Sequence, residues 1–177
     1  MSTFWISDPG ATLAVRWMVA AVFLLAVVHK TRSVVAFSAT LRSYQLLPDV
    51  LTGVVAYLLI AAEAVTAVAL LLNINDGAVA AASLLLLYAI AMLINLLRGR
   101  RDIDCGCSGP ALRQPLSFHL VVRNLLLAGL AMLTLAGGGS RELTALDFFT
   151  ALMAMLSFAL LYSSAGILST LRTRFAR

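Results

Sequence analysis

Five apolar runs, each long enough to cross a bilayer, constrain this chain more than any other feature. They cover residues 11–28, 50–72, 78–97, 116–135 and 143–168. A helix needs about 20 predominantly apolar residues to span the hydrocarbon core. In lipid only a helix or a closed barrel satisfies its own backbone, and runs of this length and continuity are helical. The chain is 62% hydrophobic and 12% charged, against about 25% charged residues in an ordinary soluble domain. The reading is a single all-α unit over residues 1–177: a polytopic membrane bundle of about five spans. "MSTFWISDPG" has no basic segment ahead of the first run, so that span is expected to stay in the mature protein as its own insertion signal.

Between the first two runs lies "HKTRSVVAFSATLRSYQLLPD". Phe37, Leu41 and Tyr44 recur at helical spacing with Arg42 among them, which predicts an amphipathic segment at the membrane interface ending at Pro48.

The net charge of +5 sits in loops and tail. His29, Lys30, Arg32 and Arg42 fall in the first loop. Arg98, Arg100, Arg101 and Arg113 fall in the third, and Arg172, Arg174 and Arg177 in the tail. With an odd number of spans all three segments lie on one side, expected to be cytoplasmic, with the N-terminus outside. This distribution has no interleaved aromatics and is not the footprint of a nucleic-acid binder. The bilayer is the partner that the composition demands.

The chain's two cysteines stand together in "RRDIDCGCSGP". Cys105 and Cys107 can close a disulfide only in a sharp turn, because the Cα atoms must come within about 4.4–6.8 Å. Gly106 can supply that turn. A ring so tight is expected to be strained, easily reduced and comparatively oxidising. Two other readings stand beside a redox dithiol: unused loop thiols, and half a metal site completed by His29 and His119. A structural zinc ordinarily takes four protein ligands.

Glu63 lies deep in the second run, where an unpaired charge costs roughly 2.5–3.5 kcal/mol even on the lenient insertion scale. Arg16 in the first run and Arg123 in the fourth are the expected cations, with Arg16 favoured by its depth counted from the outer ends of the runs. A structural ion pair and a proton- or quinone-handling role are both open, and nothing in the sequence calls for a resident cofactor. His119 and Arg123 share one helix face. With Lys30 and Asn95 at similar depth they outline a polar pocket under the cysteine loop, His119 serving either as a proton partner for a thiol or as an interfacial residue.

"DCGCSG" after the basic end of the third span, "HK" closing the first, "LLPD" opening the second and Glu63 within it resemble the methylamine utilisation protein MauE family of DoxX-like membrane proteins. The resemblance runs from about Arg16 to Leu135. It departs where Ser108 replaces an expected Phe and where Val27 stands in place of an expected Gly. The resemblance implies an inner-membrane protein needed to make the β subunit of methylamine dehydrogenase, a disulfide-rich periplasmic protein carrying a tryptophan-derived quinone. It also implies a thioredoxin-like, MauD-like partner, and it carries the redox role to Cys105 and Cys107 alone. Three functions follow: a thiol–disulfide oxidoreductase or electron relay, a non-catalytic scaffold for a thioredoxin-like protein, and a small-solute transporter. The last lacks inverted repeats or broken spans.

Overall fold

The computed structural model describes residues 8–100, 102–105, 115–136 and 141–175, with side chains up to residue 164. Among the described residues the chain forms six helices: α1 Pro9–Arg32, α2 Val34–Tyr44, α3 Asp49–Leu71, α4 Asn75–Leu97, α5 Phe118–Ala136 and α6 Ala145–Phe175. All but α2 are long and apolar enough to cross a membrane. The chain is a multi-pass membrane protein with an all-α bundle.

Local chemistry sets the helix ends. Asp8 caps α1 by accepting from the Gly10 amide at 3.2 Å, and Pro9 takes the first helical position, where its missing N–H is not needed. The α3–α4 turn is a Schellman motif. Asn73 adopts a positive φ of 59°, its amide donates to Leu70 O and that of Ile74 to Ala69 O. Gly77 then lets α4 return directly against α3: a Cβ there would lie 2.9 Å from the Ala69 backbone. α4 ends in a second motif of this kind, with Gly99 at φ 76°, its amide on Leu96 O and that of Arg100 on Asn95 O.

α1 is the central helix, packed by α3, α6 and α5, while α3 packs α4 and α4 packs most extensively on α5. Small residues let these helices approach. Ala20 of α1, Ala67 of α3, Ala78, Ala81 and Ala82 of α4, and Ala128 and Ala131 of α5 share one core with Val19, Phe23, Leu70 and Leu85. The outward faces stay apolar, as Val54, Tyr57, Leu58, Val65 and Val68 on α3 show. Such a face suits lipid and not water.

Arg16 ties the end of the bundle at which α3 turns into α4. Its Nε donates to Thr134 Oγ1, Nη1 to the Asn73 carbonyl and Asn73 Oδ1, and Nη2 to Asn75 Oδ1 and the Thr134 carbonyl. Trp17 Nε1 donates to Leu71 O at 3.2 Å. The end of α3 is therefore level with the eighth and ninth residues of α1, not the first. At the same end Arg141 bridges Asp8 and Asp147 at 2.9 and 2.8 Å, joining the starts of α1 and α6.

This register corrects the expected pairing of Glu63. Depths counted from the ends of the apolar runs assume that the runs begin level. α1 instead rises past the α3–α4 turn, so Arg16 spends its donors on that turn and does not pair with Glu63. Arg123 sits with its guanidinium carbon 5.3 Å from the centroid of the Tyr162 ring of α6.

Candidate functional site

At the opposite end of the bundle two groups of residues meet. The first is a buried polar cluster. Lys30 Nζ donates to Glu63 Oε1 at 2.5 Å, and the Tyr88 hydroxyl donates to the same oxygen at 2.7 Å. Lys30 Nζ also lies 3.4 Å from the Tyr88 oxygen, 4.5 Å from the centroid of the Phe37 ring and 4.8 Å from that of Tyr88. Glu63 and Lys30 are 1% and 3% exposed. Lys30 can reach Glu63 because of the α1 register. It lies thirteen residues below Trp17, about 20 Å, while Glu63 lies eight residues below Leu71, about 12 Å, and the lysine stem spans the difference. An ion pair at this depth holds only if its geometry offsets the desolvation of both charges. Here a phenol and two ring faces add to the Coulomb attraction.

The second group is the seat of Cys105. The cysteine is 8% exposed, packed with Tyr44 of α2, Ala89, Met92 and Leu96 of α4, and Leu116, Leu120 and Val121 of the α5 entrance. The loop that carries it closes at a neck: Leu116 N donates to Ile103 O at 3.0 Å, and Asp104 bridges Pro115. From above, Tyr44 Oη donates to the Cys105 carbonyl at 3.5 Å, and Arg100 donates to Gln45 at 2.9 Å. Tyr88 packs against this seat while bonding Glu63, so one residue joins the two groups.

α2 contacts both. Phe37 and Tyr44 are seven residues apart, two helical turns, on one face; the first lies over the Lys30 ammonium and the second over Cys105. The predicted amphipathic segment is thus a packed part of the site, resting on α3 through Phe37, Ala56 and Ile60.

A family model described as "Methylamine utilisation protein MauE" matches residues 9–137. A curated relative from Paracoccus denitrificans, "Methylamine utilization protein MauE", is 40% identical over 97% of this chain and 93% of its own length. The chain belongs to the MauE family. Relatives of the same name from Paracoccus versutus and Methylophilus methylotrophus are each 34% identical, over 96% and 92% of this chain and 92% and 88% of their own lengths. No solved structure matches.

Within this MauE fold the residues singled out from the sequence separate into distinct places. Cys105, Lys30 and Glu63 come together around Tyr88. Arg16 lies at the far end, and Arg123 is half-buried beside α6. His119 is exposed, so it is not part of the polar cluster under the loop. Asn95 is fully buried, its amide nitrogen bonded to Ala91 O at 3.1 Å. Gly106 and Cys107 lie outside the described residues. Among the described residues no three His, Cys, Asp or Glu side chains gather as metal ligands would.

Sequence reasoning missed Tyr88 and gave Phe37 no role beyond the apolar face of the amphipathic segment. Tyr88 sits in a run of apolar residues with nothing to separate it from a lipid-facing aromatic. Its signal was faint: it lies seven residues before Asn95, on the face that both bury.

Proposed function

We propose that this chain serves methylamine utilisation as an inner-membrane thiol–disulfide component, exchanging two electrons between Cys105–Cys107 and a thioredoxin-like, MauD-like partner. The reading would place it upstream of disulfide formation in a periplasmic dehydrogenase subunit. The observation that carries it is the seat of Cys105. The seat fixes one sulfur of the pair at the neck of a loop held by Tyr44 and Arg100, beside the buried Lys30–Glu63–Tyr88 cluster, where a docked partner would have to expose it.

The exchange balances as follows. A Cys105 or Cys107 thiol loses its proton and attacks the partner's disulfide, and the departing sulfur takes a proton. The second cysteine then attacks the mixed disulfide, loses its proton and closes the intramolecular bond. The partner leaves with two thiols and the chain keeps the disulfide; the same steps run in reverse reduce the chain. Cys105 is buried in its seat, so attack is expected only once a docked partner exposes the sulfur.

Family membership supports the methylamine context. The one-sided arginines support a cytoplasmic cysteine loop, and the contacts of Tyr44 and Arg100 agree, since they bring the basic first loop and the cysteine loop to one end. The test is a Cys105→Ser, Cys107→Ser double variant in a host grown on methylamine. Loss of the mature dehydrogenase subunit, with normal membrane levels of the variant, is the expected result. Cys107→Ser alone is expected to trap a mixed disulfide with a thioredoxin-like protein. Full maturation in the double variant would sink the redox reading.

A further inference from the structure

We propose that Phe37, Glu63 and Tyr88 form a binding site for a small primary alkylammonium ion, and that Lys30 is its tethered occupant. Lys30 lies in the last turn of α1, and its neighbours Thr31 and Arg32 are exposed. A lysine so placed ordinarily extends its ammonium toward the headgroups. Lys30 turns inward instead and is 3% exposed. There its ammonium meets a carboxylate oxygen at 2.5 Å, a phenol oxygen at 3.4 Å and two ring faces at 4.5 and 4.8 Å. A carboxylate with flanking aromatic faces is the chemistry by which proteins recognise alkylammonium ions.

A second observation says that the lysine is an imperfect fit. Glu63 Oε2 is buried and has no hydrogen-bond partner among the described residues, a state that costs free energy in a low-dielectric interior. Both donors reach Oε1. The ammonium of Lys30 is held on that side by its stem, whereas a free ion with three N–H groups can lie across both oxygens. Exchange also conserves charge. The single carboxylate is matched by one cation, either Lys30 or the ion, and the released lysine joins Arg32 at the interface. The need for several N–H donors selects primary amines and excludes a quaternary ion, which has none. This site stands independently of the redox reading.

The experiment is equilibrium dialysis of radiolabelled methylammonium, the lysine head group cut from its chain, against the purified full chain in nanodiscs. Saturable binding to the wild type is expected, uncompeted by tetramethylammonium or sodium at matched ionic strength. Lys30→Ala removes a competitor tethered at high effective concentration and is expected to bind about tenfold tighter or more. Glu63→Gln should abolish binding in either background, and Phe37→Leu should weaken it. If Lys30→Ala fails to fold, the wild type against Glu63→Gln and Phe37→Leu decides. Absence of saturable binding to the wild type would overturn the proposal, even if Lys30→Ala binds, and would leave the pair a permanent structural tie. So would binding that Glu63→Gln does not change.

Discussion

Lys30→Met and Glu63→Gln break the same ion pair, yet the structure makes them unequal. Lys30→Met leaves a carboxylate about 12 Å inside α3 with only the Tyr88 hydroxyl to serve it. Stranding one partner of a buried pair costs roughly 3–5 kcal/mol, and the short, mid-span glutamate has no route to water. Glu63→Gln strands an ammonium that keeps the Phe37 and Tyr88 faces, each worth roughly 0.5–2 kcal/mol. That lysine sits in the last turn of its helix and can also swing out to the interface. Glu63→Gln is therefore expected to cost at least about 1 kcal/mol less than Lys30→Met, from the two ring contacts that the ammonium keeps if it stays inside, with escape to the interface as its alternative. Replacing both by Met should cost less than Lys30→Met alone, because no charge is stranded. The assay is reversible unfolding in mixed micelles, run as a double-mutant cycle. Equal losses for the two single variants, or a double variant as costly as their sum, would refute the reasoning. Arg16→Gln should add independently to Glu63→Gln; strong coupling between them would restore the pairing that the register excludes.

Gly77→Val should lower stability by roughly 1–3 kcal/mol as an overpacked contact, since even a Cβ meets the Ala69 backbone at 2.9 Å; unchanged unfolding would mean that the α3–α4 hairpin is looser. The Asp8 carboxyl is held below its ordinary value of 3.8, first by the hydrogen bond from Arg141 and then by the Gly10 amide. A depressed carboxyl contributes stability that is present above about pH 4 and lost as the pH falls through its lower folded value. Acidification in that range should therefore expose the first turn of α1 to hydrogen exchange, and Asp8→Asn should weaken this dependence without abolishing it, because Asp147 stays paired with Arg141. A membrane-impermeant thiol reagent should leave Cys105 and Cys107 unlabelled in intact spheroplasts and reach the cysteine loop only after permeabilisation, Cys105 more slowly because it is buried; labelling from outside would reverse the orientation.

The five spans were legible because a run of about 20 apolar residues has one solution in lipid. α2 was legible from Phe37, Leu41 and Tyr44, though its role was not: periodicity shows that a face is apolar and not what it covers. The cysteine loop announced itself by composition. The partner of Glu63 did not, because pairing depends on relative helix register, which Trp17 and Arg16 set through contacts with a turn more than fifty residues away. The sequence places Lys30 both among the positive-inside residues and in the polar pocket under the cysteine loop; its burial, against the exposure of Arg32, is what makes it the partner of Glu63. His119 shares a helix face with Arg123, yet that spacing does not say whether the face looks inward, and His119 looks outward.

Arg16 gives this fold a history as well as a structure. Its acceptors belong to residues 73, 75 and 134, all made after the first span has left the ribosome. While that span is alone in the bilayer its guanidinium has none of them, at a cost of up to roughly 3 kcal/mol for a mid-helix arginine. The α3–α4 turn relieves most of this burden, and Thr134 the rest. On this chemistry α1 is expected to settle at its final depth once the hairpin that follows it has closed. Chains truncated before residue 73 should insert their first helix shallowly, with Asp8 and Arg16 both near water.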